Sequence, residues 1–210
     1  MIKVLITDDH AIVRQGLKQI LGETADMTVV GEADTGLKAI RMADSIAADV
    51  MLLDIGLPDR SGIEALKQIK KDHPKLAVLM LSMHAEDQYA LRAIKAGASG
   101  YLNKNSATEL LVTAIRKVAS GKKYISPALA EELANNILHN DEQPLHQTLS
   151  DREFQTLCLI ASGRSLTQAA EDLSLSVKTV SVYRARLLEK MNLKNNAELT
   201  HYAIKNQLVE

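Results

Sequence analysis

Five short apolar runs, each followed by a stretch with helical spacing, fill roughly the first 120 residues of the chain, a rhythm that few folds accept. The runs are Lys3–Thr7, Thr28–Val30, Val50–Asp54, Leu76–Leu81 and Gly100–Asn103. The helical stretches fall at Ala11–Leu21, Gly36–Ser45, Ile63–Lys71, Asp87–Ala96 and Ala107–Ala119. Parallel strands cannot be joined by a tight turn and need a crossover, usually a helix. The central run, Val50-Met51-Leu52-Leu53, lacks polar alternation, as a strand covered on both faces should. Pro74 and Gly97 punctuate the segment ends. The expected fold is α/β: a five-stranded parallel sheet, doubly wound. Right-handed crossovers then deliver all five strand ends to one rim.

The residues at that rim carry charge. Asp8 and Asp9 close the first run, Asp54 the third and Ser82 the fourth, and Lys104 follows the fifth. In the strand order 2-1-3-4-5 the first and third strands are neighbours, so three carboxylates converge. Like charges this close raise one another's pKa unless a cation intervenes. A small hard ion such as Mg²⁺ suits one or two carboxylates and reaches on to phosphate oxygens. One carboxylate would stay free as a nucleophile, since aspartyl-phosphate formation is an established covalent route. Ser82 can donate a hydrogen bond, and Lys104 can place its charge on a phosphate. Singly, each has a plain structural reading: a turn cap for Asp54 or Ser82, a solvated charge for Lys104. The ordered conjunction at four strand ends is what is specific.

Asp8-Asp9, Asp54, Leu57-Pro58 with Gly62, Ser82, Tyr101 and Lys104 together resemble the receiver domain of two-component response regulators. The resemblance spans about residues 1–121. It implies that Asp54 accepts a phosphoryl group from a sensor histidine kinase. It further implies that Asp8, Asp9, Asp54 and the Gly56 carbonyl hold Mg²⁺. Ser82 and Lys104 would contact the phosphoryl group, and Tyr101 would be the aromatic switch that follows Ser82. One departure is Asn105, where receivers often have proline, so slow X–Pro isomerisation is unavailable there.

Past Gly121 the strand rhythm stops. Ser126-Pro127 starts a helix expected near 127–139, and Asn140–Pro144 reads as linker, giving a connecting segment over 122–147. From 148 to 210 the pattern is all helical. Ser150-Asp151-Arg152-Glu153 is a capping box, and a short helix, a tight turn at Ser174–Ser176 and a longer helix from Val177 to Met191 follow. A last helix is expected from Asn195 to Asn206. The net charge is -1, so any nucleic-acid surface must be local, and the basic residues gather on the Val177–Met191 helix. Val180, Leu187 and Met191 form its apolar face. Lys178, Ser181, Val182 and Ala185 lie opposite, and Arg184 and Arg186 stand at the shoulders. This is helix-turn-helix spacing, although an amphipathic core helix with a charged face would show much the same pattern.

Leu149–Glu153, Ala161-Ser162-Gly163, Ala169-Ala170, Leu175–Val180 and Lys190–Leu193 resemble the output domain of NarL/FixJ-type, also called LuxR-type, regulators. The resemblance implies a helix-turn-helix domain that binds double-stranded DNA as a homodimer, its last helix forming the dimer contact. Lys178, Thr179, Ser181, Val182, Arg184, Ala185, Arg186 and Lys190 are then the expected DNA-contacting residues. Many relatives have histidine where Tyr183 stands and basic residues at Ser181 or Ala185, so base-reading hydrogen bonds are few here. Val182 and Ala185 can touch thymine methyl groups, and specificity would lean on phosphate placement and DNA shape.

The expected protein is a cytoplasmic, phosphorylation-switched transcription factor rather than a turnover enzyme, able at most to hydrolyse its own aspartyl-phosphate. One alternative is a phosphorylation-independent regulator whose receiver only dimerises. The other is a Mg²⁺-dependent aspartyl-phosphate phosphatase, which would want a second Asp where Gly56 stands. Cys158 is the only cysteine, so no internal disulfide forms. No apolar run approaches the ~18 residues of a membrane span. The opening Met1–Ile6 run is expected to be a strand rather than a leader.

Overall fold

The computed structural model describes residues 1–83, 86–104, 107–127, 129–131, 133 and 144–209, without the side chains of 86–88 and 107–109. Asn105, most of the expected 127–139 helix and nearly all of the 140–144 linker lie outside the described residues. The chain forms two compact units, Met1–Glu132 and Leu133–Glu210.

In the first unit, strands β1 (Ile2–Thr7), β2 (Met27–Ala33), β3 (Val50–Asp54), β4 (Ala77–Ser82) and β5 (Gly100–Asn103) alternate with helices α1 (Ala11–Gly22), α2 (Gly36–Ser45), α3 (Gly62–Asp72), α4 (Glu86–Lys95) and α5 (Ala107–Ala119). The sheet order is β2-β1-β3-β4-β5, with every pairing parallel. All five β3 residues are buried, which explains the unbroken apolar run. One core layer joins Val4, Ile6, Leu52 and Leu81 of the sheet to Leu17 and Leu21 of α1 and Leu111 and Ile115 of α5. Burying each such side chain contributes about 1.5–3 kcal/mol. β2 runs longer than Thr28–Val30. Gly31, Glu32 and Ala33 pair with Leu5, Ile6 and Thr7 after a register shift at Val4/Leu5. Backbone pairing carries the strand through a glycine and a charge that side-chain pattern alone reads as its end. Tyr124, beyond α5, adds a parallel bridge to Gly100 that the sequence pattern does not announce.

The second unit holds a 3₁₀ turn at Leu145–Thr148 and helices α6 (Asp151–Ala161), α7 (Leu166–Asp172), α8 (Val177–Lys190) and α9 (Asn196–Lys205). Ala169, Ala170, Leu173 and Val180 form one of its cores, where α7 packs on α8. The C-terminal turns share one device. After α7, α8 and α9, Ser174, Asn192 and Gln207 take φ of 53°, 53° and 56°, and the next residue in each case is a leucine. The amides of Leu175, Leu193 and Leu208 donate back to Ala170, Leu188 and Ala203, closing Schellman turns. The turn between α7 and α8 is therefore fixed by local hydrogen bonds, which sets how the second helix leaves the first.

The capping box at Ser150 is formed in full. Glu153 also holds the Lys190 ammonium at 2.7 Å, tying the start of α6 to the end of α8. Burial opposes ionisation of Glu153, but Lys190 and the Ser150 amide and hydroxyl outweigh it, so its carboxyl lies below the ordinary glutamate value. A depressed carboxylate stabilises the fold above its unfolded pKa and ceases to as pH falls through its folded one. Glu153→Gln is therefore expected to cost about 1 kcal/mol at neutral pH. The gap to the unsubstituted protein should close in acid, read as the urea midpoint of the second unit's transition.

Candidate functional site

The β1–β3 pairing sets Thr7 beside Leu53, so the next residues, Asp8 and Asp54, emerge side by side. Asp54 in turn pairs with Leu81, and Ser82 with Asn103, which brings Ser82 and Lys104 to the same rim. All are shielded from water: Asp8 is fully buried, and Asp54 and Ser82 nearly so. The Lys104 ammonium lies 2.6 Å from Asp8 Oδ2 and 2.8 Å from Asp54 Oδ2. One lysine thus bridges two carboxylates that would otherwise face each other.

The electrostatics follow from that placement. Burial raises the Asp54 carboxyl above its ordinary value. Lys104 opposes that shift, the Asp8 charge adds to it, and the Gly56 amide donates to the carboxylate. Burial works against the Lys104 charge as well, but Asp54 and Asp8 outweigh it and hold the ammonium above its usual range. The Asp8 carboxylate also accepts the His10 amide at 2.9 Å, and the Asp8 carbonyl accepts Arg14 Nη1 at 2.7 Å.

Ligand atoms of Asp8, Asp9, His10 and Asp54 all lie within 4.8 Å of one another. His10 is the member that sequence reasoning missed. Its ring Nδ1 sits 2.7 Å from Asp9 Oδ1, and its only sequence signal is adjacency to the acidic pair. Two buried carboxylates and a partly exposed third form a hard oxygen donor set, which fits a Mg²⁺ ion. Tyr101 is fully buried on β5. Asp59, unremarked in the sequence, accepts the Gly36 and Leu37 amides at 2.8 Å each and caps α2 beside the rim.

In the second unit, Ser176 caps α8 through the Thr179 amide, and the two hydroxyls lie 2.8 Å apart. Val180, Leu187 and Leu188 are buried, while Lys178, Ser181, Val182, Ala185 and Arg186 are exposed along one stripe. Val177 and Val182 are notable as apolar side chains left in water. Arg184 is half-buried, its Nε 2.6 Å from Asn196 Oδ1 at the start of α9, so its guanidinium is oriented before any ligand arrives. The structure places Lys190 with Glu153 at the far end of the helix rather than among the stripe. His146 Nδ1 and its amide both lie within hydrogen-bond reach of the Tyr202 hydroxyl, at 3.1 and 3.3 Å, which fastens the 3₁₀ turn to α9.

Residues 4–116 match the response regulator receiver domain, and residues 147–203 match the luxR family of bacterial regulatory proteins. The response regulator UvrY of Escherichia coli K12 is 38% identical over 210 residues, covering 99% of this chain and 96% of UvrY. The chain belongs to the NarL/FixJ family of response regulators. GacA of Pseudomonas aeruginosa is 35% identical across 100% of this response regulator and 99% of its own length. Among solved structures, RcsB of Salmonella enterica serovar Typhimurium is similar with a TM-score of 0.63 and 26% identity. The likeness covers 96% of this chain and 97% of that one, in a complex with promoter P1flhDC and the phosphomimetic BeF₃⁻. This response regulator is thus a receiver followed by a helix-turn-helix DNA-binding domain, and its family regulates transcription rather than turning over substrates. Among the described residues, no helix is long and apolar enough to cross a membrane.

Proposed function

We propose that this response regulator is switched by phosphoryl transfer from a sensor histidine kinase to Asp54, and that the phosphorylated form binds DNA as a homodimer. The single observation that carries the reading is the Lys104 ammonium set between Asp8 and Asp54. Its charge opposes the burial that raises the Asp54 carboxyl and so favours the ionised, nucleophilic form. An Asp54 oxygen attacks the phosphorus of a phosphohistidine, the P–O bond forms as the P–N bond breaks, and the imidazole leaves with the electron pair. Lys104 is then placed to pair with the new phosphoryl oxygens, and Ser82, one strand over, is placed to donate to them. Asp8, Asp9 and Asp54, with the Gly56 carbonyl, would hold Mg²⁺, which supplies neutralising charge to the transferring group. Tyr101 repacks as Ser82 moves, and the altered face favours dimerisation and release of the output domain. Slow hydrolysis of the aspartyl-phosphate resets the switch.

On this reading residues 1–121 are the phosphoacceptor domain, 122–147 the connection and 148–210 the DNA-binding domain. The exposed Lys178–Arg186 stripe of α8 enters the major groove, Arg184 and Arg186 take phosphates, and Val182 and Ala185 meet thymine methyls. Thr179 holds the helix start, and Lys190 acts through Glu153. RcsB dimers bound to DNA, similar with a TM-score of 0.59, support the dimeric mode. The protein would act in the cytoplasm, where kinase and promoter are both available.

Treatment with an acyl-phosphate and Mg²⁺ tests the proposal. The unsubstituted chain should incorporate up to one phosphoryl group, shift toward dimer and bind promoter DNA more tightly. Asp54→Asn should incorporate none and show neither shift. Equal responses from the two proteins would refute it.

A further inference from the structure

The opposite end of the sheet carries a cavity that phosphoryl transfer does not use. The starts of β3 and β4, the ends of α2 and α3 and the segment after α5 line an open cleft of about 810 Å³. That is within the range of small-molecule sites, about 300–1,000 Å³. Its lining brings four lysines, Lys70, Lys75, Lys122 and Lys123, against only two carboxylates, Asp49 and Asp72. Asp49 accepts the Lys3 amide and Asp72 the Gln68 side-chain amide, so the two acids offset only part of the lysine charge. Among the described residues no ion pair reaches any of the four lysines.

Lys70 is half-buried and Lys123 is exposed, and both turn their ammonium groups onto backbone carbonyls. Lys70 Nζ donates to the Pro74 and Leu76 carbonyls at 2.6 and 2.8 Å, and Lys123 Nζ donates to the Ala98 carbonyl. These carbonyls supply dipoles but no countercharge. An ammonium has three N–H donors, so each lysine keeps at least one to give. Burial, with the Lys123 charge adding to it, holds Lys70 below the ordinary lysine range, and burial does the same to Lys123. Both lysines thus present positive charge to one cavity, where an anion would be favoured. The lining is mixed, and its apolar share includes Ile46, Ala47, Pro74 and Val118.

We propose that this cavity binds a small phosphorylated molecule of about nucleotide size, its phosphate between Lys70 and Lys123 and its apolar body against the Ile46–Val118 wall. Such a ligand would give the receiver an input separate from its kinase.

Calorimetric titration of the full chain with AMP, in buffer freed of Mg²⁺, tests this, with adenosine as the phosphate-free control. AMP is expected to bind and adenosine not to. The double variant K70M/K123M should weaken AMP binding by about tenfold or more, since two charge-assisted hydrogen bonds are lost. Lys70 also braces the turn between α3 and β4, so K75E/K122E, at two exposed positions, provides a second variant that should weaken binding while leaving the fold intact. Asp54→Asn should bind AMP as the unsubstituted chain does. The proposal is overturned if AMP gives no binding, if K75E/K122E binds it unchanged, or if Asp54→Asn abolishes it.

Discussion

Gly62→Ala is expected to unseat Asp54. A Cβ at this position would lie 1.9 Å from the Asp54 carbonyl oxygen and 2.8 Å from both the Asp54 carbonyl carbon and the Ile55 Cα. All three are backbone atoms, so no side chain can swing away to make room. Gly62 is also the first residue of α3, with its amide donating to the Ile55 carbonyl at 2.9 Å, so the helix start and the strand end are locked together. Ser61, fully buried, caps the same turn. Either α3 retreats or the end of β3 moves. Overpacking against backbone should cost about 3 kcal/mol or more, read as the urea midpoint of the first unit's transition. On the proposed phosphoryl transfer, a displacement near 1 Å at the Asp54 carboxylate should slow its acyl-phosphate labelling by about 10²-fold. Unchanged stability together with unchanged labelling would show that the close approach of Gly62 to Asp54 is not what positions the carboxylate.

Lys104→Met should produce the second large effect, and one with a definite pH signature. Methionine fills much the same volume but leaves Asp8 and Asp54 buried together with no ammonium between them. Removing one partner from a buried ionic cluster costs about 3–5 kcal/mol. The Asp54 carboxyl, already raised by burial, should rise further once the main opposing influence is gone. A carboxyl whose folded pKa exceeds its unfolded one favours folding below the unfolded value. It loses that contribution as pH climbs through the folded one. The variant should therefore approach the unsubstituted protein in stability near pH 4 and fall progressively behind toward pH 7. Denaturant melts at several pH values decide it: a deficit independent of pH would mean that lost packing, not lost charge, is responsible. On the proposed phosphoryl transfer, labelling of Asp54 should also fall in this variant, since its carboxylate would be less ionised and the phosphoryl group would lose the Lys104 charge.

The rim was legible because its chemistry sits at strand ends. Once Val50–Asp54 is recognised as a central strand, counting one residue past β1 and β5 reaches Asp8 and Lys104, and β4 itself ends on Ser82. Parallel geometry does the rest. What sequence could not announce depends on contacts across long separations. Asp59 reaches back 23 residues to cap α2 at Gly36. Tyr202 reaches 56 residues to His146. Arg184 is tethered to Asn196 on the following helix. None of these pairs has a periodicity, and each is polar on a partly exposed surface, where pattern carries least information. His10 stood next to the acidic pair, but only distance shows that its ring joins them. The extension of β2 through Gly31 and Glu32 was hidden for a related reason: strand pairing is a property of the backbone, while pattern is read from side chains.

Lys104 is a counter-ion covalently attached to the chain, and its contacts are almost closed to water. Dissolved ions can neither dilute it nor screen it well, because screening over the ~8 Å Debye length at physiological salt belongs to exposed charges. On the proposed reading, association of the α8 stripe with a duplex is the reverse case, weakening steeply as salt rises and condensed counterions cease to gain entropy on release. If the chain works as proposed, a rise in ionic strength would leave the Asp54 pocket at rest while DNA occupancy fell, so that the two halves of one polypeptide answer to different properties of their surroundings.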